Sequence, residues 1–147
     1  MVIVGEHAGK IVMNLTRGEE LVAILASWCK KEKISGATLS GLGAADELEV
    51  AYYNLGVKQF ERHTIKEEVE ILSLVGNVAM LSDKRVLHIH GTFGRKDLST
   101  FGGHICSLRV SGACEIHLTV FPQAFIRAYD EETGLNLLCQ AAAHTKE

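Results

Sequence analysis

The stretch RVLHIHGTFGRKDLSTFGGHICSLRV, residues 85–110, decides how this chain is read. Its first part alternates, with apolar Leu87 and Ile89 between polar His88 and His90. In a strand, residues i and i+2 point the same way. Leu87 and Ile89 therefore belong to a core face, and the two imidazoles stand side by side on the other. A glycine-rich, polar gap follows, and His104 opens the next strand-like run. Gly102 and Gly103 permit close backbone approach there, so a returning strand can bring His104 beside the pair.

Two readings stand at this point. His-x-His on a polar strand face is often solvated surface. Alternatively, three neutral imidazoles form a borderline-soft site suited to Zn²⁺, with Ni²⁺, Co²⁺ and Fe²⁺ as further fits. Three protein ligands leave one position for water or substrate, as in catalytic zinc. Such an ion lowers the pKa of its water or polarises a carbonyl. Glu70 and Glu115 each interrupt an apolar strand pattern and are the acid/base candidates. His117 shares a strand face with Glu115. His7, His63 and His144 have no partner pattern.

Outward from this stretch, strand signals dominate. EEVEILSLVGNVAML alternates, with Val69, Ile71, Ser73 and Val75 on one face and Glu68, Glu70, Leu72 and Leu74 on the other. HICSLRVSGACEIHLTVF reads as a hairpin turning at Ser111-Gly112. SGATLSGLGAADELEVAYYN gives two strand runs around a glycine-rich middle. GLGA lacks the third glycine and the following helix of a nucleotide loop, so a strand bend or close backbone packing fits better. KIVMN (10–14) is a short strand, and AFIRAYDEETGLNLLCQ a last strand with a polar turn. AAAHTKE reads as a frayed tail.

One helix is expected, at about 17–32. Thr16 and Glu19 have capping-box spacing, and Leu21, Ile24, Leu25, Trp28 and Cys29 recur at helical spacing. Lys30, Lys31 and Lys33 suit its C-terminal dipole. The expected fold is thus α+β: a single domain over residues 1–147, core about 8–139. It has a mixed, mainly antiparallel β-sheet and one principal α-helix.

Composition limits the function classes. At 147 residues, one core suffices, and a net charge of −3 gives no general attraction to nucleic acid or anionic lipid. No apolar run is long enough for a membrane span, and the N-terminus lacks signal-peptide features. Cys29, Cys106, Cys114 and Cys139 show no CxxC pair and read as reduced cytoplasmic thiols. Cys106 and Cys114 read as small core residues.

Three segments, ISGATLSGLGAADELEVAYYN, EEVEILSLVGNVAM and VLHIHGTFGRKDLSTFGGHICSLRVSGACEIHLTVF, together resemble the PPC domain, the plant and prokaryote conserved domain. The resemblance runs over about residues 8–139 and is to the free-standing prokaryotic type. It implies a homotrimer with a mainly antiparallel sheet. It also implies a divalent metal, most simply zinc, on His88, His90 and His104, the positions matching the prokaryotic His-x-His and Gly-Gly-His pattern. The broad fold is similar to that of acetolactate decarboxylase, whose zinc sits on a like arrangement; for activity this is analogy only. Plant members follow an AT-hook and are DNA-binding regulators; the Arg-Gly-Arg-Pro core of that hook is absent here. Arg95 and Lys96, between the ligands, would touch phosphates or steer a small anion.

The leading expectation is a metal-binding protein, enzymic or not, taking a small carbonyl or carboxylate substrate. The alternative is a DNA-associated regulator that acts as an oligomeric scaffold without an AT-hook; neither charge nor motif supports direct DNA binding. A third is a non-catalytic trimer with Phe93, Phe101 and Phe121 at a subunit face.

Overall fold

The computed structural model describes residues 1–140; the AAAHTKE segment, with His144, lies outside the described residues. Its elements run β1 (Val2–His7), β2 (Lys10–Thr16), α1 (Leu21–Lys31), β3 (Ala37–Asn54), β4 (Gln59–Ile65), β5 (Val69–Leu81), β6 (Lys84–Gly94), β7 (Thr100–Val120), β8 (Ile126–Asp130) and β9 (Leu135–Cys139). No described helix is long and apolar enough to cross a membrane.

The α+β expectation is corrected. The described residues form one 9-stranded sheet with a single 11-residue helix, so the fold is predominantly β. The helix is also shorter than the expected 17–32. Residues ahead of it are held against β7: Gly18 donates to the Val110 carbonyl, and the Val110 N–H donates to that of Glu19. A chain so tied cannot yet be helical. Glu20, not Thr16, caps α1, accepting from the Val22 and Ala23 N–H groups. Its carboxylate also takes the Leu108 N–H of β7. Glu19 reaches back to the Thr16 N–H and hydroxyl and pairs with the amino terminus of Met1. Leu21, Leu25 and Cys29 then bury the helix's apolar stripe.

The hairpin expected at Ser111-Gly112 is also corrected. β7 is one 21-residue strand running straight through these positions. Opposite it, Gly43 pairs with Cys114 while Ala45 pairs with Val110, so the turn signal marks a bulge rather than a chain reversal. Ser111 is buried there and donates its hydroxyl proton to Glu68. Gly43, at φ +156, lies so close to β7 that an added Cβ would fall 2.2 Å from the Ala113 oxygen. GLGA is thus a tight crossing inside the single strand β3, not the break between two runs.

A second bulge breaks the alternation expected in β5. Register shifts between Ile71 and Ser73. Beyond it Leu74 is fully buried and Val75 is 56 % exposed, the reverse of the expected faces. β1, β4 and the hairpin partner β9 carry no clear periodic signal and were not anticipated. Phe93 is fully buried and stacks on Phe101, so it belongs to the core, not to a subunit face.

Four strands close on themselves. β3 pairs with β5 and β7, and β6 joins β5 to β7, all antiparallel. Ile71, Leu74, Ile89, Phe93, Ile105 and Leu108 are among the core residues they contribute. Cys114 joins them, and burial lifts its thiol to about 12. Closure removes free edges from this part of the sheet.

Replacing Gly43 with Ala forces backbone apart at the bulge and is expected to lower unfolding free energy by about 2–4 kcal/mol. Gly5→Ala, where a Cβ meets nothing within 4 Å, should stay within about 0.5 kcal/mol. Urea denaturation of both variants checks this; equal losses would show that the crossing is not tight.

Candidate metal centre

β6 presents Ile89 to the core and His88 and His90 to the opposite face. β7 returns beside it in antiparallel register that sets His104 directly opposite His90, Gly103 opposite Gly91 and Gly102 opposite Thr92. Directly opposed residues share a sheet face, so all three imidazoles emerge together. The same His104 pairs with Ala51 of β3 on its other side. Glycines make this crowding possible. A Cβ on Gly102 would sit 2.5 Å from the Gly91 oxygen, and one on Gly103 2.9 Å from that of Ala51.

The ring centroids of His88, His90 and His104 lie 4.9 to 5.5 Å apart. One nitrogen from each falls within 4.8 Å of the others. The Nε2 atoms of His88 and His90 are 3.1 Å apart. Two nitrogens on a tetrahedral zinc, at about 2.0 Å from the ion, are about 3.3 Å apart. The donor set fits such an ion, and the His88–His90 spacing is already close to that value. The buried His104 Nδ1 has no hydrogen-bond partner among the described residues.

Burial and the neighbouring guanidinium of Arg127 disfavour an imidazolium here. The pKa of His88 is pushed down to about 4, first by burial and then by Arg127. That of His104 is lowered by burial, then by His90. These two rings are therefore neutral at neutral pH, the state in which imidazoles ligate.

The cluster lines an open cavity of about 810 Å³. Its walls include Tyr53 and Phe60, with rings 4.8 Å apart, and Phe60 lies 5.2 Å from the His104 ring. Val75, Val86 and Leu137 add apolar surface. Arg127, 9 % exposed, also lines it. Its Nη2 donates to Asn77 Oδ1 at 2.8 Å and lies 3.2 Å from His88 Nδ1. With Arg127 as donor, neutral His88 carries its proton on Nε2 and donates it to His90. Ligation through Nε2 would move that proton to Nδ1, facing Arg127, so the guanidinium would have to give up this hydrogen bond.

Sequence reading brought forward the three histidines and missed Arg127, Asn77, Tyr53 and Phe60. Only Arg127 left a signal: a lone charge in the apolar run AFIRAY. Glu70 and Glu115 do not line this cavity. Glu70 pairs with Gly94, four residues from His90 along β6, about 13 Å away. Glu115 pairs with Asn14 and Leu42, eleven residues from His104 along β7. Arg95 is held by Glu67 and lies over Phe101.

Residues 3–122 match the Plants and Prokaryotes Conserved (PCC) domain. The chain belongs to the PCC family. This is the family its motifs resemble, and the match covers most of the chain. No curated protein matches it. Two similar crystal structures cover nearly all of this PCC chain. A protein of Bacteroides thetaiotaomicron described as a "putative dna binding protein" is 30% identical, with TM-score 0.88, over 92% of this chain and 94% of that one. A protein of Archaeoglobus fulgidus described as metal-containing is 31% identical, with TM-score 0.83, over 95% and 99%. Acetolactate decarboxylase from Bacillus subtilis shares the fold at 13% identity and TM-score 0.56, over 79% of this chain and 54% of that one.

The lowered pKa of His88 makes a signed prediction for the metal-stripped protein. Between pH 6.5 and about 4 the unfolded chain takes up a proton that folded His88 refuses. Stability therefore falls as pH falls through that window. The ring is half-exposed, so the loss is about 1–2 kcal/mol after solvent screening. In His88→Asn the deficit between pH 7 and pH 5, read by urea unfolding, should shrink. An unchanged deficit would count against the assignment.

Proposed function

We propose that this PCC-family protein holds one divalent metal ion, zinc by its donor set, on His88, His90 and His104, and binds a small carbonyl or carboxylate compound in the adjoining cavity. The observation that carries the reading is the convergence of three imidazoles on the wall of that cavity. The description of the Archaeoglobus fulgidus relative as metal-containing supports it. When bound, such an ion supplies Lewis acidity toward an oxygen in its fourth position. The chain's own groups do the rest. His88, His90 and His104 fix the ion against one rigid face, and Tyr53, Phe60 and Val75 hold the ligand's apolar part and limit water. The protein is proposed to act as a cytoplasmic homotrimer; the exposed Leu42 and Leu72 offer apolar surface for subunit contact.

A DNA-associated scaffold is the second reading, supported by the description of the Bacteroides relative. The net charge of −3 argues against direct contact. Duplex retention that weakens steeply with salt would favour it, and no shift even at low salt would dismiss it.

Protein purified without a histidine tag should contain about one zinc per chain by elemental analysis. His90→Ala and His104→Ala should fall below about a tenth of that. Wild-type protein without metal, with alanine variants of unchanged stability, would refute the proposal.

A further inference from the structure

Among the described residues, Arg127 is a buried cation without a counter-ion. Arg62, Arg95 and Arg109 each pair with a carboxylate. Arg127 appears in none of the ion pairs. Its partners are neutral: the Asn136 carbonyl at 2.7 Å, Asn77 Oδ1 at 2.8 Å and His88 Nδ1 at 3.2 Å. Its Nε, also buried, has no partner among the described residues. A guanidinium offers five N–H donors, so at least two are unused here. Burying a charge without an opposite charge is costly. A fold that bears this cost beside an open cavity has a guanidinium prepared for an anion.

The position narrows the anion. Arg127 contacts His88 directly, so a group held by the guanidinium lies within one small molecule's reach of all three imidazoles. The surrounding walls, Tyr53, Phe60, Val75, Val86 and Leu137, are aromatic and aliphatic. They suit a short carbon body better than a fully ionic one. A planar guanidinium matches a carboxylate through two parallel hydrogen bonds.

We infer that Arg127 is the anion subsite of this cavity, taking the carboxylate of a small 2-oxo or 2-hydroxy acid whose second oxygen points to the three histidines. Asn77 and Asn136 position the guanidinium from β5 and β9. The inference rests on the metal reading for the second oxygen, but not for the carboxylate.

Titration calorimetry separates the two. The probes are 2-oxobutanoate and inorganic phosphate, added to zinc-loaded and to metal-stripped protein, with zinc content measured on each sample. Wild-type loaded protein should bind 2-oxobutanoate more tightly than phosphate. Arg127→Gln should weaken that binding by about tenfold or more at unchanged zinc content, and Arg127→Lys should restore part of it. In stripped protein the affinity should fall, yet the dependence on Arg127 should persist. If zinc never binds but this dependence remains, the metal reading fails and the anion subsite stands. Equal affinity in wild type and Arg127→Gln would overturn the subsite. So would no binding of 2-oxobutanoate by wild-type protein up to about 10 mM, or preference for phosphate. The Lys variant keeps the charge and guards against a Gln variant that fails to fold.

Discussion

The pairing of His90 with His104 across β6 and β7 is the contact on which the site depends. It is possible only because β7 at that point is gripped from both sides, by β6 at His90 and by β3 at Ala51. The closed circuit of β3, β5, β6 and β7 allows no register slip, since a one-residue shift would turn every core residue outward. Phe93, Ile89 and Ile105 hold the inner face, and their packing sets the direction of the histidines on the outer one. Gly102 and Gly103 let three backbones approach where larger residues would hold them apart, and Gly91 leaves room for the Phe93 and Ile105 side chains. The site is thus a consequence of barrel closure.

Electrostatics then gives the arrangement its chemistry. Half-burial disfavours the charged form of His88 and His104, and the nearby guanidinium reinforces this. The same guanidinium competes for His88 Nδ1. The two ring nitrogens of His88 therefore serve opposite ends of the cavity, and a change at one end is felt at the other. A carboxylate can satisfy Arg127 where His88 no longer does.

Much of the site was legible in residues 85–110. Period-2 alternation placed His88 and His90 together, and the Gly-Gly step foretold the close return of His104. The fold class was less legible. The strong amphipathic pattern of Leu21 to Cys29 points to one helix, while strands such as β1 and β4 are almost wholly exposed and show no pattern. Ser111-Gly112 carries the composition of a turn, but a bulge needs the same backbone freedom. Leu74 and Val75 exchange faces because a bulge at Ile71–Ser73 resets the count. Phe60 is invisible locally and Arg127 shows only as a lone charge in AFIRAY, since only tertiary pairing brings β4 and β8 to the histidines.

X-ray absorption at the zinc K-edge of the stoichiometrically loaded protein tests the central claim most directly. Three imidazole nitrogens at about 2.0 Å and one further light atom are predicted, with the imidazole scattering reduced in His104→Ala. A shell containing sulfur, six oxygens, or a spectrum unchanged in that variant would contradict a centre built from His88, His90 and His104.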